Sequence, residues 1–204
     1  MKGNLLIISG PSGSGKGYIA SKLIENYNNF SLSISATTRN IRPGEVDGIN
    51  YFYKTRTEFE EMIKNGELLE YAEFVGNYYG TPKQFVLDKI NMGQNVLLEI
   101  EMQGALKVKE IFPDALLIFI AIPSLDELKF RLKNRGRESD EDIEKRIKQA
   151  KVDISYADKY DYVVMNDDIN KVMNDFEQII NGNFSKEESN KNLQILKNIA
   201  EEIN

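Results

Sequence analysis

The sequence predicts an α/β fold with a parallel sheet buried on both faces, and three observations carry it. Four short apolar runs, 5–8, 96–100, 116–122 and 162–165, each lead into a segment of helical spacing, at 16–27, 104–112, 124–132 and 169–180. The runs are apolar without alternation, as strands covered on both sides must be. The first run reaches its helix through a glycine-rich turn, the usual form of a strand-to-helix connection at a phosphate site.

The elements follow in order. Ser124 and Ser139 each precede a helical pattern, the second with Asp142 three residues on, as N-caps do. Two segments break the strand–helix rhythm. Residues 33–80 alternate polar and apolar, are rich in Tyr and Thr, and read as short strands with one helix at 57–64. They predict a small antiparallel subdomain inserted in the core. Residues 131–148 (RLKNRGRESDEDIEKRIK) are too polar for a core and predict a mobile flap. Ser185 and Glu188 form a capping box that opens a last amphipathic helix. Its Leu193, Leu196 and Ile199 are expected to pack on the core or on a partner.

Composition narrows the chemistry. With 204 residues, 41% of them hydrophobic and 28% charged, the chain has ample material for a core. No stretch approaches the roughly 18 apolar residues of a membrane span. Twenty-six basic against thirty-two acidic residues give a net charge of −6, which argues against nucleic acid or an acidic membrane as partner. There is no Cys and no His. This excludes disulfides, thiol nucleophiles, the Ser-His-Asp triad and nearly every zinc site. The N-terminal apolar run is too short for a signal peptide, so a cytoplasmic location is expected. Chemistry here has to run on Lys, Arg, carboxylates and backbone dipoles.

The strongest motif is Gly10-Pro11-Ser12-Gly13-Ser14-Gly15-Lys16, between a predicted strand and a predicted helix. Its glycines let successive N–H groups turn inward around anionic oxygens. The helix N-terminus adds partial positive charge, and Lys16 reaches the terminal phosphates of a nucleotide. The hydroxyl residue that usually follows the lysine and ligates Mg²⁺ is replaced by Gly17, with Tyr18 next. Glu99, at the end of the 96–100 strand, is then the candidate carboxylate for the metal; its plain alternative is a solvated strand end.

A second constellation runs Thr37-Thr38-Arg39-Asn40-Ile41-Arg42-Pro43-Gly44-Glu45-Val46-Asp47-Gly48-Ile49-Asn50-Tyr51-Phe52-Tyr53. Two arginines three apart with tyrosine hydroxyls nearby suit a dianionic phosphate monoester. A third is the charged flap: Arg131 and Arg135 share a helical face, followed by Arg137 and Arg146. Read alone, a charge run is a solvated face, and single tyrosines are packing residues.

Together with Gly66–Glu73, Gly76–Pro82, Glu99–Gly104 and Asn166–Asp168, the second constellation resembles the guanylate kinase family, over residues 3–181. The resemblance implies a three-layer α/β/α P-loop NTPase core at 1–32, 82–125 and 150–182. It further implies an inserted monophosphate-binding subdomain at 33–81, an Arg-rich lid at 126–149 and a C-terminal extension at 183–204. It implies ATP-dependent phosphorylation of GMP and dGMP, with Mg²⁺, by a monomer or homodimer. Arg39, Arg42, Tyr51 and Tyr79 would grip the GMP phosphate; Ser35, Glu70, Thr81 and Glu101 would read guanine. Arg131, Arg135, Arg137 and Arg146 would close over the ATP phosphates, with Lys16 and Arg39 joining them in catalysis. Asn166 would contact the adenine, or else cap its own turn.

Chemistry supports the base reader. Guanine presents N1–H and N2–H donors on one edge, and an ionised carboxylate matches both, whereas adenine presents an acceptor at N1. The hydroxyl of Thr81 would donate to O6. Two other readings compete: a kinase of a different phosphorylated acceptor, and a non-catalytic phosphopeptide-binding module of the same fold. Modules of that kind lose the phosphate loop and the lid arginines, which this chain keeps.

Overall fold

The computed structural model describes residues 2–134 and 139–203. Five strands form one sheet: β1 (Leu5–Ser9), β2 (Phe30–Leu32), β7 (Asn95–Glu99), β8 (Leu116–Ala121) and β9 (Tyr162–Met165), in the order β2-β7-β1-β8-β9. The pairings β2–β7 and β8–β9 are parallel. Every residue of β1 is buried, as are the first four of β7 and the last five of β8. A strand buried at successive residues is covered on both faces, because successive side chains point to opposite sides. The four predicted strands are present. The fifth, β2, was not legible: it is three residues long and buries only Phe30 fully.

The chain divides into two compact units. One comprises Met1–Leu6, Asn29–Leu98 and Gln103–Ala115. It holds β2, β3 (Ala36–Thr37), β4 (Phe52–Tyr53), α2 (Arg56–Lys64), β5 (Leu68–Phe74), β6 (Asn77–Pro82) and α3 (Lys83–Asn91), with most of β7 and α4 (Met102–Ile111). A second sheet runs in the order β4-β3-β6-β5. It is not wholly antiparallel as the alternation at 33–80 predicts. The β5–β6 and β3–β6 pairs are antiparallel, but β3 and β4 pair in parallel over two residues. They are joined by the long loop that carries the arginines, and a loop of that length allows either sense. Phe59 of α2, fully buried, seats the helix against Ala36 and Leu68 and stacks on Tyr78 at 5.2 Å. Thr55 and Glu58 form a capping box that fixes where α2 starts.

The other unit comprises Ile7–Asn28, Glu99–Met102 and Leu116–Asn204. It holds most of β1, with α1 (Lys16–Asn26), β8, α5 (Leu125–Lys133), α6 (Asp140–Ile154), β9, α7 (Ile169–Ile180) and α8 (Lys186–Glu202). The flap sequence corrects one expectation. It is not polar throughout: Leu132 and Ile143 are buried. Leu132 completes a stripe with Leu125 and Leu128 at i, i+3 and i+7, so the helical segment read at 124–132 carries its apolar face into the charged stretch. Helix α8 packs in its own unit: Leu196 and Ile199 are buried, Leu193 half-buried. It also finishes the sheet. β9 is an edge strand, and Ser189 Oγ accepts from the Val163 N–H at 2.9 Å while Asn192 Nδ2 donates to the Val163 carbonyl at 2.9 Å. Side chains thus satisfy an edge that would otherwise offer unpaired backbone groups.

Candidate active site

In the second unit the glycine loop lies between β1 and α1 and is built as its sequence requires. Gly10, Gly13 and Gly15 have φ of 148°, 91° and 89°, a region that L side chains rarely adopt. At Gly15 a Cβ would stand 2.4 Å from Asn166 Nδ2, so the loop also needs the missing side chain for space. Asn166 is buried, and its Nδ2 donates to the Ser14 carbonyl at 2.7 Å. Ser14 Oγ is buried with no hydrogen-bond partner among the described residues. Lys16 folds back over the loop, its Nζ donating to the Gly10 and Pro11 carbonyls at 2.7 and 3.0 Å.

Two of the four flap arginines fall within the described residues, and both are anchored on this loop. Arg131 donates from Nη1 to the Ser14 carbonyl at 3.4 Å, from Nε to Glu127 at 2.7 Å and from Nη2 to the Asn166 carbonyl at 2.8 Å. Arg146 Nη1 donates to Ser12 Oγ at 2.6 Å. Arg135 and Arg137 lie outside the described residues. Sequence reading missed Asp153 of α6. Burial pushes its carboxyl above the ordinary range, against a Gln149 hydrogen bond and the charge of Lys16. Nothing in a line of sequence separates it from the other polar residues of that helix.

Glu99 is exposed, and a Cβ on Gly17 would stand 3.4 Å from its Oε2. The carboxylate therefore lies where the motif's usual hydroxyl would begin. Among the described residues no three acidic side chains cluster as a metal cage. One carboxylate with phosphates and waters is the usual way Mg²⁺ is held beside a nucleotide.

The first unit carries the arginine–tyrosine constellation. β3 is pinned by Thr37 Oγ1, which donates to the Tyr78 carbonyl at 2.9 Å and accepts from the Arg39 N–H at 3.2 Å. The Arg39 guanidinium lies 5.4 Å from the Tyr51 ring centroid and 5.9 Å from that of Tyr53. Tyr51 packs edge-on to Tyr79 at 6.0 Å. The fold thus gathers Arg39, Tyr51 and Tyr79. Arg42 is exposed, and Ser35 is half-buried with its carbonyl accepting from the Phe52 N–H. Arg39 also pairs with Glu45 at 2.7 Å, a residue to which the sequence reading gave no role. The available signal was a carboxylate three residues after Arg42 in the arginine loop.

Glu70 and Thr81 face each other across the β5–β6 pair. The Thr81 hydroxyl donates to Glu70 Oε1 at 2.7 Å, so its one proton points at the carboxylate in this structure and not outward, as donation to O6 would require. Burial raises the Glu70 carboxyl above its ordinary range, opposed by that hydrogen bond and by the charge of Lys107. Glu101 belongs to the other unit, where it is exposed beside the start of α4.

A glycine loop closing onto a helix N-terminus after a buried strand, with a lysine and arginines arrayed on it, defines a P-loop phosphoryl-transfer protein. Comparison with known proteins narrows the class. The guanylate kinase family model matches residues 2–183. Over 187 residues the chain is 53% identical to the guanylate kinase of Oceanobacillus iheyensis, a match covering 92% of this chain and 91% of the relative. It is 50% identical over 194 residues to that of Caldanaerobacter subterraneus, covering 95% and 94%. The crystal structure of guanylate kinase from Anaplasma phagocytophilum matches with a TM-score of 0.66 at 35% identity, covering 91% of this chain and 88% of that one. The chain belongs to the guanylate kinase family, whose members transfer phosphate from ATP to GMP. No described helix is long and apolar enough to cross a membrane.

Proposed function

We propose that this chain catalyses transfer of the γ-phosphoryl group of ATP to GMP or dGMP, giving ADP and the diphosphate. Family membership sets the class. The observation that supports guanine as the base is the Glu70–Thr81 pair, in which Thr81 is buried and Glu70 half-buried. A carboxylate held in place offers acceptors to N1–H and N2–H. Adenine, with an acceptor at N1, would meet it lone pair to lone pair. Within the same unit Ser35 would extend the polar rim, and Arg39, Arg42, Tyr51 and Tyr79 would take the phosphate.

The chemistry suits a protein without histidine. The nucleophile is an oxygen of the GMP phosphate, which is largely dianionic at neutral pH, its second pKa being near 6. No proton has to be removed. That oxygen forms a bond to the γ-phosphorus, the bond to the β-phosphate bridging oxygen breaks, and ADP leaves with the electron pair. The transition state is loose and its charge dispersed, so positioned cations and N–H groups do most of the catalysis. Lys16 and the loop N–H groups hold the ATP phosphates, and Arg131 and Arg146 add positive charge at the same loop. Asn166 serves this site by pinning the Ser14 carbonyl.

Mg²⁺ accompanies ATP and supplies charge neutralisation of the phosphates. Glu99, whose Oε2 lies 3.4 Å from where a Cβ on Gly17 would stand, would take part in holding it. Glu99→Gln is therefore expected to raise the Mg²⁺ concentration needed for half-maximal rate and to lower turnover. An Mg²⁺ titration identical to wild type would leave Glu99 a strand-end charge. We place the enzyme in the cytoplasm as a monomer or homodimer, without nucleic acid or membrane partners. The functional reading is tested by ADP release with ATP and Mg²⁺ against GMP, dGMP, AMP, CMP and UMP. GMP and dGMP are expected to turn over and the other three to lag by about 10⁴, because unpaired polar groups in a fitted site discriminate on that scale. Comparable rates with AMP would contradict it.

A further inference from the structure

Glu45 is the most heavily engaged side chain of the arginine loop. Its Oε1 accepts from Arg39 Nη2 at 2.7 Å. Its Oε2 accepts from the Tyr53 hydroxyl at 2.7 Å and from the Arg42 N–H at 2.8 Å. One carboxylate thus ties together both loop arginines, one by its side chain and one by its backbone, and the tyrosine whose ring lies beside the first. The Arg39 side chain is 13% exposed and that of Glu45 20%, so the ion pair is shielded from much of the solvent. Arg39 Nη1 is fixed in turn by the Asn40 carbonyl at 2.9 Å.

We infer that Glu45 is a positioning residue for the acceptor phosphate: it holds the Arg39 fork and the Arg42 backbone in the geometry that a phosphate monoester requires. The inference rests on the reading that Arg39 grips the GMP phosphate. A guanidinium has five N–H donors, and the two bonds described here do not exhaust them. A free arginine must lose the freedom of its long side chain when it binds an anion. Here Glu45, Asn40 and the two tyrosine rings have already restricted it. The opposing effect is repulsion between Glu45 and the incoming phosphate. Tyr53 O–H and the Arg42 N–H both point at Glu45, which lessens its field outward, so ordering outweighs repulsion. The three donors and the Arg39 charge hold the Glu45 carboxyl down to about 2, so it stays ionised wherever the enzyme works. The device is a fixed brace and does not switch with pH.

The test is calorimetric titration of GMP, guanosine and ATP into wild type, Glu45→Gln, Glu45→Asp, Arg39→Ala and the Arg39→Ala/Glu45→Gln double variant. Glu45→Gln keeps the shape and is expected to weaken GMP about tenfold, leaving guanosine and ATP within twofold. Glu45→Asp is expected to recover part of the loss. With Arg39 already removed, Glu45→Gln is expected to add a smaller loss than in wild type, what remains being its hold on the Arg42 backbone; an undiminished loss would overturn the inference. Equal losses for GMP and guanosine would overturn the inference, since a merely structural residue would damage the whole unit. Unchanged or tighter GMP binding in Glu45→Gln would overturn it too, by making Glu45 a bystander or a competitor. If Arg39→Ala retains full GMP affinity, what fails is the underlying assignment of Arg39 to the phosphate.

Discussion

Lys16→Met is expected to lower turnover with saturating ATP and GMP by at least two orders of magnitude. That corresponds to about 3 kcal/mol, the scale on which one preorganised electrostatic donor stabilises a transition state. Methionine keeps the bulk of the stem and removes the charge that follows the moving phosphoryl group. In the structure Lys16 Nζ sits on the Gly10 and Pro11 carbonyls. The loop's shape comes from other sources: three glycines at positive φ and the Asn166 bond to Ser14. The variant should therefore fold, with the melting temperature near that of wild type and GMP affinity retained. Losing the Lys16 charge also removes one of the two effects that oppose the raised Asp153 carboxyl, the other being the Gln149 hydrogen bond, so that group should titrate at still higher pH. A variant that kept most of its turnover would show that this loop is not the ATP site.

Glu70→Gln is expected to weaken GMP by roughly tenfold to a hundredfold, about 1.4–2.8 kcal/mol, while ATP affinity holds. Charge-assisted hydrogen bonds to the carboxylate contribute about 1.5–3 kcal/mol each. The amide keeps one acceptor and turns a donor towards N1–H or N2–H. Discrimination against AMP should narrow in the same variant. Burial sets the pH behaviour. The Glu70 carboxyl titrates above the ordinary carboxylate range, and only its ionised form accepts both donors. Wild-type GMP affinity should accordingly fall as pH drops through that raised value, earlier than an exposed glutamate would give. Glu70→Gln should lack this limb. For stability the sign is opposite. A carboxyl whose folded pKa is raised binds more protons folded than unfolded, so its ionisation destabilises the fold as pH rises through that window. At neutral pH the melting temperature of Glu70→Gln should not fall. Parallel losses for ATP and GMP would indicate misfolding, and unaltered GMP affinity would remove Glu70 from the base site.

What could be read from the sequence follows from which constraints are local. The phosphate loop was legible because its geometry depends on backbone freedom, and glycine announces that wherever it recurs at fixed spacing. The four buried strands were legible because covering both faces leaves no polar alternation. β2 was not, since three residues hold no period. The helix at 124–132 was legible from its spacing and its Ser124 cap, but the charges that follow hid the burial of Leu132 and Ile143. The acceptor residues were legible only as a signature: no rule of spacing brings Arg39 to Tyr79, or Glu70 to Thr81 across a strand pair. Glu45 stood in plain view and acquired meaning only when its three donors, from Arg39, Arg42 and Tyr53, were found on one carboxylate. Asn166 is the extreme case, bonded to a loop residue 152 positions away, a relation that the sequence does not encode locally.

The measurement closest to the central claim is phosphorus NMR of the enzyme with ATP, Mg²⁺ and GMP. Transfer to GMP predicts that ADP and GDP resonances grow together in equal amounts, at the expense of ATP and GMP, with no inorganic phosphate. Growth of ADP and inorganic phosphate while the GMP resonance stays constant would show hydrolysis in place of transfer, and would contradict the assignment of an acceptor site to Arg39, Glu70 and their neighbours.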